Sequence, residues 1–286
     1  KISSLSGAAA VYYLGPKHWN IYTLSKNDLL TARATEIKTN ISSMLMSIDI
    51  FVDSINDPPF FDLNDGAEED YLKLEKFWSG IHQEAINQGL QSGWAVWKRT
   101  PQEGDEPGNN EYLIFNLYNS IEQLEKGFNG AELAQKAYKG KMSKRSIQRM
   151  LDGTGSESRE RRNYTLKIVD QTIVAGGDVK PGDKATLNLM NKKNDDFENY
   201  ESKVWKPIAE KNILNGRLRH WALVEVTDKA DNAFEGFTHF AWNLMGNSDV
   251  EFEGMSGFKW DKLWEGIESS RDMQDSEEYT LIYTAN

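Results

Sequence analysis

A chain that repeats itself is confined to folds assembled from two like units, and this one repeats at a fixed offset. Shifted by 127 residues, Lys76 falls on Lys203, Trp78 on Trp205, Ile81 on Ile208 and Ile86 on Ile213. Further along, Gly89 meets Gly216, Trp94 meets Trp221, Ala95 meets Ala222, and Asn116-Leu117 meets Asn243-Leu244. The offset holds without a gap through helix-like and strand-like stretches, which reads as a duplicated domain.

Each copy carries the same punctuation. An amphipathic helix comes first, with Tyr71, Leu74, Trp78, Ile81 and Ala85 in copy one, and Phe197, Tyr200, Val204 and Ile208 in copy two. Pro207 is an irregularity inside the second helix. Gly89 and Gly216 stand where a helix ends, since glycine takes the left-handed cap conformation cheaply. A strand, a polar loop and a returning strand follow, then a helical region (about 120–150 and 248–271) and a last strand, "NYTLKIVD" or "EYTLIYTA". A strand before the first helix is clear in copy two ("ATLNLMN") and weaker in copy one ("FFDLN", 60–64). The order is βαββαβ, the ferredoxin-like arrangement of the α+β class. The predicted division is an N-terminal extension (1–57), repeat one (58–175), a linker (176–183) and repeat two (184–286). Within the extension, Leu30 to Ile55 follow helical steps and predict a long helix, although "SIDIFVDS" also alternates like a strand.

Opposed residues of a hairpin share a face of the sheet. Centring each hairpin on its loop puts Trp94 beside Asn116 and Trp221 beside Asn243. One face is then wholly apolar: Ala95, Trp97, Leu113, Phe115 and Leu117, with Ala222, Val224, Phe240, Trp242 and Leu244 in copy two. The other is mixed. It holds Trp94, Val96, Ile114, Asn116, Lys98 and Tyr112, and in copy two Trp221, Leu223, Ala241, Asn243, Glu225 and His239. The apolar face is expected to meet the helices. The mixed faces are expected to meet each other, packing the two repeats sheet to sheet as a pseudo-dimeric barrel around a shared interior.

This layout resembles the dimeric α+β barrel superfamily, with "FWSGIHQ" and "VWKPIAE" as its most similar local strings, over about residues 58–286. The group includes antibiotic-biosynthesis-monooxygenase-like, stress-responsive barrel, EthD-like and NIPSNAP-like proteins. The resemblance implies a fold and a pocket. Members range from cofactor-free oxygenases and isomerases to haem proteins, so the fold does not assign the function.

The candidate ligand-binding residues are Trp94, Tyr112, Asn116, Trp221, Glu225, His239 and Asn243. An aromatic wall beside an amide suits a small organic ligand; alternatively, the amides are satisfied by the protein's own groups. Glu225 and His239 are expected to pair across their hairpin, which would raise the imidazole pKa. No metal site is expected, because HxxxH and HExxH spacings are missing and there are no cysteines. No cofactor is called for, although one histidine suffices to ligate haem; His82, one turn after Trp78, is the position for it, with a helix-packing role as the favoured reading. Net charge −11 argues against nucleic acid, and no run is long enough for a membrane span. Residues 136–150 form the one basic segment, suited to a solvated face, an anionic partner or the protein's own acidic surface. The chain starts without Met and lacks Cys, from which an exported compartment, secreted or periplasmic, is expected.

Two functions fit. One is a non-catalytic binding or assembly protein that holds a small organic ligand, with residues 1–57 offered to a protein partner. The alternative is a cofactor-free oxygenase or isomerase acting on a small aromatic or polyketide-like compound.

Overall fold

The computed structural model describes residues 9–13, 19–23, 45–52, 67–103, 112–154, 160–231, 233 and 235–286. Strands β1 (Ala9–Tyr13) and β2 (Trp19–Thr23) pair only with each other. The remaining eight close into an antiparallel barrel: β3 (Leu45–Val52), β4 (Gly93–Arg99), β5 (Tyr112–Tyr118), β6 (Glu160–Gln171), β7 (Lys184–Lys192), β8 (Leu218–Lys229), β9 (His239–Met245) and β10 (Arg271–Ala285). Around the barrel the order is β10-β4-β5-β3-β6-β8-β9-β7, with β7 returning to β10. Strands β4-β5-β3-β6 therefore follow the same internal order as β8-β9-β7-β10. The two sets join at β6·β8 and β10·β4, and both seams carry register shifts. Such bulges bend a strand and increase its twist, as closure demands.

The helices follow from local chemistry. Helix α1 (Ala67–Asn87) opens on Glu68, Glu69 and Asp70, which favour the positive end of the helix dipole. It is followed by Gly89 at φ 69°, while Gly216 at φ 82° follows its counterpart. Helices α2 (Ile121–Lys126), α3 (Gly130–Ala137) and α4 (Lys144–Asp152) each start on a side-chain cap, from Ser120, Asn129 and Ser143. In the second half of the chain, α5 (Phe197–Tyr200) runs into a π turn (Glu201–Trp205) before α6 (Lys206–Leu214); α7 (Phe258–Ser270) comes later. Pro207 accounts for the π turn. In a regular helix its ring collides with the carbonyl four residues back, and it has no N–H to give. The widened turn, with the Lys206 N–H donating to Glu201 O, accommodates it.

Three expectations change. The sheets do not pack mixed face to mixed face. They join edge to edge, and the apolar faces curl inward. Ala95, Trp97, Leu113 and Phe115 share one buried cluster with Ala222, Val224, Phe240 and Leu244, joined by Leu166, Leu187 and Leu281. Trp242 bridges the halves, edge-on to Trp97 at 4.9 Å and to Phe115 at 5.0 Å. The physical reason is that a closed barrel excludes water from its inside, so the uniformly apolar face belongs there. The helices cover the mixed face and bring polar partners to it.

Second, residues 45–52, read within a long helix, form β3 between β5 and β6. The alternation in "LMSIDIFV" fits a strand, and both ladders satisfy its backbone groups, which a helix would leave orphaned on β5 and β6. Third, the first barrel strand of this half is therefore β3; "FFDLN" and residues 30–44 and 53–55 of the expected helix lie outside the described residues. No helix among the described residues is long and apolar enough to cross a membrane.

Candidate functional site

The hairpin registers are those expected: Trp94 faces Asn116, Trp221 faces Asn243, Lys98 faces Tyr112 and Glu225 faces His239. Their location is not. Trp94 and Tyr112 pack against Tyr71 of α1, and Trp221 packs against Phe197 and Ala209 of α5 and α6. The seven candidate residues thus lie on the outer, helix-covered face, and the barrel interior holds a different, buried apolar set.

On that face the polar groups of copy one are served internally. Gln91 Nε2 donates to Asn116 Oδ1 (3.1 Å), and His82 Nδ1 donates to Gln91 Oε1 (2.8 Å). The His82 ring stacks on Trp94 at 4.8 Å and 12°. Lys98 Nζ and Tyr112 OH both donate to Glu68 Oε1 at the start of α1. In copy two, Asn243 Nδ2 donates to Thr186 Oγ1 (3.2 Å). Both amides are therefore satisfied by the protein.

The expected Glu225–His239 pair does not form. Glu225 lies 3.9 Å from Lys167 Nζ, and the acid nearest His239 Nε2 is Glu198, at 4.0 Å. His239 packs edge-on against Phe197 at 4.8 Å. Burial pushes its pKa down to about 4, opposite to the expected rise, with Glu198 opposing only in part. His82 is likewise pushed down to about 4 by burial, against a smaller opposite effect of Gln91. A stability prediction follows. An unfolded imidazole protonates near pH 6.5, so between about 6.5 and 4 the unfolded chain binds more protons. The stabilisation is complete above 6.5 and is lost as pH falls through that window. Each histidine is expected to contribute about 2–4 kcal/mol by this linkage. Urea unfolding at about pH 7 and pH 4.5 checks it: His82→Gln and His239→Gln should each narrow the stability gap seen in the parent chain.

An opening that combines a buried ion pair with aromatic walls lies in the second half of the chain, between sheet and helices. It is a cleft of about 510 Å³ lined by Met190, Glu201, Trp205, Ala241, Trp264 and Arg271 among others. Strands β7 and β9 supply its floor through Met190 and Ala241, the π turn supplies Glu201 and Trp205, α7 supplies Trp264, and Arg271 opens β10. Glu201 is 1% exposed and Arg271 8%. Arg271 Nη1 donates to Glu201 Oε1 and lies 3.4 Å from Met190 Sδ, and the guanidinium sits 5.7 Å from the centre of the Trp205 ring. Glu201 Oε2 is buried without a hydrogen-bond partner. Burial lowers the Arg271 pKa to about 10, so it remains a cation at neutral pH. This is a fixed positive charge beside a carboxylate oxygen with open acceptor capacity, under aromatic walls. It suits an organic molecule with one oxyanion or carbonyl oxygen.

At the 127-residue offset Leu74 stands in the place of Glu201, so the pair has no counterpart there. The sequence carried one signal of it. Glu201 is a charged residue one turn after Phe197, on the apolar stripe and next to the Pro207 irregularity. Nothing in the sequence marks Arg271. Among the described residues no group of three or more metal-ligating side chains exists.

No family model matches the chain, and no curated protein does. Solved structures do. It is similar to an anthrone oxidase-like protein, with 12% identity over 85% of this chain and 92% of the other, at a TM-score of 0.45. A provisionally assigned monooxygenase from Fusobacterium nucleatum subsp. nucleatum has 10% identity over 85% and 94%, at 0.47. Another from Lactobacillus acidophilus NCFM has 8% identity over 85% and 96%, at 0.48.

Proposed function

We propose that the chain is a cofactor-free enzyme of the oxygenase or isomerase type, acting on an enolisable aromatic carbonyl compound in the copy-two cleft. The observation that carries this is the buried Glu201–Arg271 pair with Glu201 Oε2 unpartnered. A local opening at the π turn uncovers Glu201 Oε2, which then takes the proton from the carbon beside the carbonyl, and the C–H electron pair moves to give an enolate. Arg271 offsets the charge that develops on the enolate oxygen. Trp205 and Trp264 hold the ring and limit water. Returning the proton to a different atom completes an isomerisation; reaction of the electron-rich enolate with dioxygen is the oxygenase outcome of the same step.

The 127-residue offset and the matching strand orders support a reading of two ferredoxin-like repeats, about 58–175 and 184–286, joined through 176–183. The partition then leaves copy one as the packed partner and copy two as the working half. Strand β3 enlarges copy one at the expense of the N-terminal extension. Of the seven residues of the mixed face, Tyr112, Asn116 and Asn243 bond within the protein and lend ligand binding no support, whereas Trp221 Nε1 and His239 Nε2 are buried without a partner.

Phenylpyruvate is the test compound, since it joins a ring, a carboxylate for Arg271 and an acidic benzylic carbon. Proton NMR in deuterium oxide should show enzyme-dependent loss of the benzylic hydrogens. Glu201→Gln is expected to slow that exchange by about 10²–10⁴-fold, the usual contribution of a positioned base. Binding without exchange by the parent chain would return the protein to a non-catalytic binding role.

A further inference from the structure

Half of the large apolar side chains exposed among the described residues lie in one short segment: Val250, Phe252, Met255, Phe258 and Leu263. Phe258 is 77% exposed and Met255 49%. The segment runs along the coil before α7 and its first turns. It is not loosely held: Asn212, buried in α6, donates to Glu253 O (2.9 Å) and accepts from Glu253 N (2.8 Å), and Phe252 stacks on Trp205 at 5.9 Å. A fixed patch of this kind is a mark of an interaction surface. Acids surround it. Residues 249–268 hold six acids against two lysines.

The longest stretch of the opposite charge lies elsewhere. Residues 136–150, spanning the end of α3 and most of α4, hold six cations and no acid, in a chain of net charge −11. Lys136 is paired with Glu132. Lys139, Lys141, Lys144, Arg145 and Arg149 are exposed and have no ion pair among the described residues. Beside them, Met142 and Met150 line a groove with Tyr138 against α1. The two surfaces belong to different halves: α3 contacts α1 and α4, while α7 contacts α5 and β10.

We propose that the chain associates with a second copy of itself head to tail, the basic face at 136–150 of one copy meeting the acidic, apolar face at 249–268 of the next. Each face supplies what the other lacks in charge, and the apolar centre with its charged rim is the anatomy of a protein interface. Because the two faces differ, the contact is heterologous and builds rings or open chains rather than an isologous pair. The proposal is independent of the chemistry in the cleft.

Light scattering on the full chain tests it. At low salt, about 50 mM, the mass should rise above one chain with concentration; at about 500 mM it should fall back, since exposed charges are then screened within a few ångströms. Phe258→Ser should weaken association about tenfold or more, as for a central apolar contact. Two charge-reversed variants give the decisive arm: one carrying Lys141→Glu, Arg145→Glu and Arg149→Glu, the other Asp249→Lys, Glu251→Lys and Asp261→Lys. Each alone should be a single chain with an unchanged far-ultraviolet spectrum, and the mixture should associate. A parent chain that stays single at low salt, an assembly indifferent to salt and to both reversals, or a mixture that fails to associate from folded variants would each overturn it.

Discussion

Arg271→Ala is expected to lower folding stability by about 3–5 kcal/mol, because it leaves the Glu201 carboxylate buried and without its counter-charge. Glu201 is 1% exposed, so water cannot reach it without a local opening, and one of its oxygens already lacks a partner. The cost is therefore that of an uncompensated charge rather than of one lost hydrogen bond. The paired replacement Glu201→Leu with Arg271→Met is expected to recover most of the loss. It removes both charges at once and fills similar volume, and apolar replacement of a buried pair is often neutral or stabilising. Guanidinium unfolding of the single and double variants measures both. Equal loss in the single and double variants would mean that packing, not charge, sets the cost.

Trp97→Ala is expected to cost a comparable 3–5 kcal/mol, by a different mechanism. Trp97 is 3% exposed inside the barrel and meets Trp242 of the other half edge-on at 4.9 Å. The surrounding strands are tied into a closed ladder, so they cannot collapse into the space the indole leaves. Trp94→Ala, under α1, should cost less, since a helix shifts over a sheet more readily than a barrel wall shifts inward. Thermal unfolding of the two variants side by side checks the order, which the opposite face assignment would reverse.

That assignment shows where the sequence could be read and where it could not. Hairpin parity is local: with the loops centred, Trp94 had to face Asn116 and Trp221 Asn243, and they do. Which face turns inward is a global property. It depends on whether two sheets stack or join at their edges, and no single hairpin encodes that. The wholly apolar face was the clue, since the most water-free space available takes the least polar surface. Residues 45–52 failed for a related reason. Their pattern supports either period, and the vacancy between β5 and β6 decided it. The site was harder still. Glu201 betrayed itself slightly as a charge on an apolar stripe, but its partner Arg271 lies 70 residues away and is brought to it by the pairing of β10 with β7 beneath the helices.

The proposed working site is the Glu201–Arg271 cleft under α5, α6 and α7, not the barrel interior. The doubly replaced chain, Glu201→Leu with Arg271→Met, separates site from stability. Isothermal titration of phenylpyruvate into this variant and into the parent is the direct measurement. Binding by the parent, with binding lost in a variant that stays folded, is the expected result. Binding of similar strength in both would contradict it, because the ligand would then be held somewhere that neither charge reaches.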